Sequence, residues 1–125
     1  MAEPPDTERA SSLYQKGREA IDGKDLHSAI RLLQQSAKLA PHFKTFELLG
    51  ECLLDVGRPA EAVTALTASV EIGNKPFRAL YLLACAFNAC GDKERAVENL
   101  HRAIEANPEY KTARSLLESL TDDSK

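Results

Sequence analysis

Several signals are missing from this sequence, and each absence narrows what the chain can be. The apolar stretch LYLLACAF at residues 80–87 falls far short of the ~20 residues that a membrane span requires. The opening segment MAEPPDTERASS carries Glu3, Asp6 and Glu8 and no apolar run, so it lacks the hydrophobic centre of a secretory signal. It is expected to form a flexible tail over residues 1–9. Neither sign of charge dominates. Sixteen Lys and Arg stand against 19 Asp and Glu, for a net charge of −3, which offers no electrostatic footprint for nucleic acid or an anionic membrane. The expectation is a soluble, cytoplasmic protein that binds neither.

Cysteine is sparse as well. Cys52, Cys85 and Cys90 are an odd number with no C-x-x-C pair, which argues against a disulfide scaffold and fits a reducing compartment. They read as small hydrophobes within helices, with Cys52 and Cys90 expected to be protected and Cys85 partly open. His27, His42 and His101 are too scattered to complete a zinc site with them. Catalytic patterns are missing too. There is no phosphate-binding glycine loop, no G-x-S-x-G, no H-E-x-x-H and no nucleophile grouped with an orientable base. No enzymatic activity, metal or cofactor is expected.

What the chain does contain is a repeat. Gly57, Ala62, Val63 and Leu66 recur 34 residues later as Gly91, Ala96, Val97 and Leu100. Gly17, Ala29, Ile30, Leu33 and Ser36 precede Gly50, Ala62, Val63, Leu66 and Ser69 by 33 residues. With 125 residues for one core, the reading is a single domain over 10–121. Its three units fall at about 10–42, 43–76 and 77–110. Apolar residues recur at three- and four-residue spacing on both sides of a central breaker, so each unit is a pair of amphipathic helices and no strand is required. The breakers are DGKD at 22–25, GRP at 57–59 and GD at 91–92. Glycine there can end a helix in the left-handed conformation, Pro59 suits a first turn, and Asp92 can cap free N–H groups. Small residues at Gly17, Gly50 and Ala84 face Ala29, Ala62 and Ala96 and let the paired backbones close up. Residues 109–121 place Tyr110, Ala113, Leu117 and Leu120 on one stripe, as a helix covering the last pair requires; 122–125 form a second tail.

The 34-residue spacing, the small residue in each first helix, the alanine opening each second helix, and Pro41 and Pro108 near unit ends resemble tetratricopeptide repeats over residues 10–110. The pattern departs from the family at Leu13, Phe46 and Leu80, where a large aromatic is usual, and at Asn74, where the proline is missing. The resemblance implies an all-α, right-handed superhelix of three helical hairpins with a seventh, capping helix, an α-solenoid whose first helices line a concave groove. It also implies a protein-interaction module, an adaptor or scaffold that binds a peptide segment or partner protein in that groove.

Stacking the units puts Ser11, Lys44 and Arg78 on one level, Tyr14, Glu47 and Tyr81 on the next, and Arg18, Glu51 and Cys85 below, with Asp22, Asp55 and Ala89 at the bottom. Leu48 and Leu82 lie on a neighbouring apolar track. Glu47, Glu51 and Asp55 form an acidic stripe on one helix face, with Arg18 beside Glu51. It reads either as a solvated face or as a receptor for a basic amphipathic segment. The lysine, asparagine and arginine clamp of repeats that hold chaperone tails is not matched at Tyr14, Arg18, Leu48, Arg78 and Leu82. The second functional reading is a self-associating structural unit without a foreign ligand, and the expected state is a monomer or weak homodimer.

Overall fold

The computed structural model describes residues 5–122, so residues 1–4 and 123–125 of the two expected tails lie outside the described residues. Among the described residues seven helices follow one another: α1 (Asp6–Asp22), α2 (Leu26–Leu39), α3 (Phe43–Asp55), α4 (Pro59–Ile72), α5 (Phe77–Ala89), α6 (Lys93–Ala106) and α7 (Lys111–Thr121). No strand occurs among the described residues. α1/α2, α3/α4 and α5/α6 are antiparallel hairpins stacked as an all-α right-handed solenoid, and α7 packs on α6 as the cap. Each later first helix also touches the preceding second helix, α3 on α2 and α5 on α4, which builds one continuous stack.

The repeated residues make the core. Leu33, Leu66 and Leu100 hold the same position in successive hairpins and are all fully buried, each worth about 1.5–3 kcal/mol of transfer free energy. Leu33 and Leu66 close on the small residue of their hairpin from the second-helix side, and Leu100 shares a buried cluster with Ala84. A Cβ added at Gly17 would lie 3.0 Å from the Leu33 side chain, and one at Gly50 would overlap Leu66. Ala29, Ala62 and Ala96 are likewise fully buried. Two buried serines close the first two hairpins: Ser36 donates to the Ala10 carbonyl at 2.7 Å and Ser69 to the Phe43 carbonyl at 2.8 Å. Ala103 occupies the third such position and is fully buried.

Caps fix the second helices. Asp25 and Asp92 accept from the backbone N–H groups of Ser28 and Arg95. α4 has Arg58 at this position instead, with Pro59 opening the helix and Arg58 paired to Glu61 at 2.6 Å. The turns differ from expectation in one respect. Gly57 and Gly91 are left-handed, but Gly23 has φ −82° and Gly73 has φ −84°, while Lys24 and Lys75 take the left-handed conformation.

α1 begins at Asp6, inside the stretch expected as a tail. Asp6 and Glu8 favour the positive end of the helix dipole, and Ala10 is buried with its carbonyl bound to Ser36. α7 starts two residues later than residue 109, because Tyr110 serves as its N-cap residue. Ala113, Leu117 and Leu120 pack on α5 and α6 as the stripe required, joined by Leu116.

Candidate functional site: the concave face

α1, α3 and α5 stand side by side along the concave face, and the expected groove residues separate there into two environments. Between the N-terminal parts of α1 and α3 lies an open cleft of about 470 Å³, lined by residues that include Ser11, Tyr14, Gln15, Lys44 and Thr45. Tyr14 is half-buried against the core and Lys44 is exposed. His42 shapes the rim. Its Nδ1 accepts from the Lys44 N–H at 3.1 Å, and its ring stacks on Phe43.

Between α3 and α5 the face is tied by charge. Arg78 donates to Glu47 Oε2 at 3.0 Å and to Glu51 Oε2 at 2.8 Å, joining two helices across 31 and 27 residues of chain. The cation expected beside Glu51 was Arg18, but Arg18 is exposed and makes no ion pair among the described residues. Equal repeat level does not decide the partner. Arg78 starts a turn higher on α5, and its long side chain descends to span both glutamates one helical turn apart. Burial works against the Arg78 charge, yet Glu51 and Glu47 more than offset it, and the guanidinium is held more firmly protonated than usual.

The side chain of Asp55, the third acid of the stripe, makes no hydrogen bond or ion pair among the described residues. Partial burial, followed by the charge of Glu51, raises its pKa above the ordinary 3.8. The stripe is therefore two different things: a pair of glutamates bridged by one arginine above and an open carboxylate below.

An aromatic cluster borders the ion triad. The Tyr81 ring meets Tyr110 edge-on at 5.7 Å, and Tyr110 meets Phe77 at 5.1 Å. All three rings are partly exposed. The Tyr81 hydroxyl lies against the Cys85 thiol, and burial with that contact pushes its pKa up to about 12. Burial also raises Cys85. Tyr110 was expected only as part of the capping stripe. It enters the groove because its ring, just before α7, packs against Phe77 and Tyr81 of α5, and its hydroxyl feels Arg78, Glu47 and Glu51. A tyrosine in the linker before a capping helix gives no sign in the sequence that it belongs to the groove as well.

Two expectations fail on burial. Leu82 is only 7% exposed and belongs to the core rather than to an open apolar track; Leu48, also packed on the core, remains half-exposed. Cys90 is exposed, not protected, because α5 ends at Ala89 and leaves it in the turn. Cys52 is buried as expected, its thiol pushed up to about 11 by burial and then by Asp55 and Glu51, and Cys85 is half-buried.

The fold recurs in known structures. The tetratricopeptide repeat domain of Arabidopsis OM64 superimposes with a TM-score of 0.89 at 19% identity, over 94% of this chain and 98% of that one. The first such domain of Spaghetti (RPAP3), bound to the HSP90 peptide SRMEEVD, gives 0.88 at 17% identity over 93% of each chain. In sequence, the chain is 29% identical over 116 residues to outer dynein arm-docking complex subunit 4 of Xenopus laevis, an alignment covering 88% of this chain and 22% of that protein. The chain thus spans about a fifth of that relative's length. Two tetratricopeptide repeat family models match, one over residues 14–79 and one over 77–110, so that stacked hairpins, buried small residues and sequence agree: the chain belongs to the tetratricopeptide repeat family.

Proposed function

We propose that this protein is an interaction module that holds a segment of a partner protein in its concave groove. The observation that carries the reading is the set of partly exposed Tyr14, Leu48 and Tyr81 on α1, α3 and α5, with Tyr14 lining an open cleft and Tyr110, from the linker before α7, set against Tyr81. Partly exposed aromatics with their own polar handles are the side chains that most often anchor a bound segment.

Charge narrows the class of segment. Arg18, Lys44 and Arg78 balance Glu47, Glu51 and Asp55 among the groove residues, but they are not interchangeable, since Arg78 is already paired. Asp55 remains open, with Glu51 one turn above it. A basic side chain near Glu51 and Asp55, with apolar residues against the tyrosines, matches this layout. The related fold in the Spaghetti domain holds the acidic peptide SRMEEVD; here two glutamates stand in the groove, which favours a basic amphipathic segment over an acidic tail. Such a role makes the protein an adaptor or scaffold.

Selection from a displayed peptide library tests this. Enriched segments should combine Lys or Arg with Leu, Ile or Phe. They should lose about tenfold or more in affinity on Tyr81→Ala, consistent with a hot spot of about 1–2 kcal/mol. A convex-side variant such as Arg31→Ala should leave affinity unchanged. No enrichment, together with concentration-dependent dimerisation that buries Tyr81, would favour self-association instead.

A further inference from the structure

A guanidinium carries five N–H groups in a planar fork. Two of those on Arg78 are committed, one to Glu47 and one to Glu51, so three are left over, and the side chain is still 42% exposed. Both glutamates use only Oε2 in these bonds. The fork is held in place from two points on α3, near enough to Tyr81 and Tyr110 for its charge to act on both hydroxyls.

We infer that Arg78 is the specificity-determining residue of the groove: restrained by Glu47 and Glu51, it offers its remaining N–H groups to main-chain carbonyls of a bound segment and rejects carboxylates. The inference rests on the groove reading above and names the chemistry that reading selects. Its reason is electrostatic. One cation with two anions leaves the triad at net −1, so an incoming carboxylate meets two like charges for one opposite charge. A main-chain carbonyl is uncharged and needs only a free N–H. An extended segment offers such carbonyls regularly, while its own basic side chain can reach the open oxygens of the glutamates or Asp55. The same geometry implies a latent second specificity, because removing the two glutamate charges releases a complete guanidinium fork for bidentate carboxylate binding.

The test uses two short labelled peptides that share their apolar residues and differ only in carrying lysines or glutamates. Fluorescence anisotropy measures each against the wild type, a Glu47→Gln, Glu51→Gln double variant and Arg78→Gln. The wild type should favour the lysine peptide by about tenfold or more, which corresponds to about 1.4 kcal/mol. The double variant should reverse the preference, and Arg78→Gln should strengthen it by leaving both glutamates unpaired. Arg78 is reached from both sides of its bridge, so a folding defect in one variant still leaves the other as a test, with helical circular dichroism recorded for each. A wild type that prefers the glutamate peptide, that binds neither peptide, or whose preference survives both variants unchanged would overturn the inference. Library-selected segments that need Tyr81 but ignore both charge variants would overturn it too, while leaving the groove reading in place.

Discussion

Lys24 and Gly57 occupy the same point of successive hairpins, 33 residues apart, and both are left-handed, with φ of 62° and 81°. Gly91 repeats the conformation at 85° in the third hairpin. A Cβ in this region is strained by about 1–2 kcal/mol, while glycine gives back about 0.5–1 kcal/mol through the greater freedom of its unfolded chain. Lys24→Gly should therefore stabilise the protein modestly, by up to about 1 kcal/mol, and Gly57→Lys should destabilise it by a similar amount. Urea denaturation measures both. Loss of stability in Lys24→Gly would contradict the assigned turn.

The small residues of the first helices give a graded pair of variants. Alanine is favoured over glycine inside a helix by about 1 kcal/mol, so the sign of each change depends on the space available. A Cβ at Gly17 meets Leu33 at 3.0 Å, and a small shift of that flexible side chain could accommodate it. At Gly50 the new atom overlaps Leu66, which is fully buried. Gly17→Ala should be near neutral and Gly50→Ala destabilising, with overpacking of about 1–3 kcal/mol exceeding the propensity gain. Ala62→Leu, at a fully buried site, should also destabilise, whereas Ala60→Leu on the exposed face should not. Equal melting temperatures across these four variants would contradict the packing described.

These positions also mark how far the sequence could be read. The hairpins, their small residues, the capping roles of Asp92 and Pro59 and the cap stripe through Ala113 and Leu117 were legible because each follows from a helical period or a terminus preference repeated at fixed spacing. Lys24 was not, because lysine gives no sign of φ > 0 and Gly23 beside it is the ordinary candidate. In the groove, the spacing placed Glu47, Glu51 and Arg78 on the concave helices, but not their bond. Which neighbouring helix supplies the cation depends on side-chain reach and lateral helix spacing, and neither is periodic in the sequence. Leu82 failed for a related reason: one face of α5 serves both groove and core, and the boundary between them is set by how closely α3 approaches.

The open acid of the stripe gives a pH dependence. The Asp55 pKa is raised in the folded state, so its charged form is disfavoured there relative to the unfolded chain. The resulting destabilisation is absent below 3.8, where both states are protonated, and appears as pH rises through the folded value. Asp55→Asn should therefore melt slightly higher than wild type at neutral pH and equally at acid pH; Asp55 is exposed, so the difference should be small. A lower melting temperature for the variant at neutral pH would reverse the sign and contradict the assignment.

The three thiols should react in order of exposure. Cys90 should be labelled first, Cys85 more slowly, and Cys52 only on unfolding, because it is buried and its thiolate is disfavoured. Mass spectrometry over a time course with a maleimide reports each site. Early labelling of Cys52 in the native protein would mean that the core between the first two hairpins opens readily.

The central claim is that partners dock on the concave face, and backbone amide mapping by nuclear magnetic resonance tests it most directly. Titration of a library-selected segment should shift amides along α1, α3 and α5, with the largest changes around Tyr14, Leu48, Arg78 and Tyr81, and should leave the exposed faces of α2, α4 and α6 unmoved. Shifts concentrated on α2, α4 and α6, with α3 and α5 silent, would contradict it.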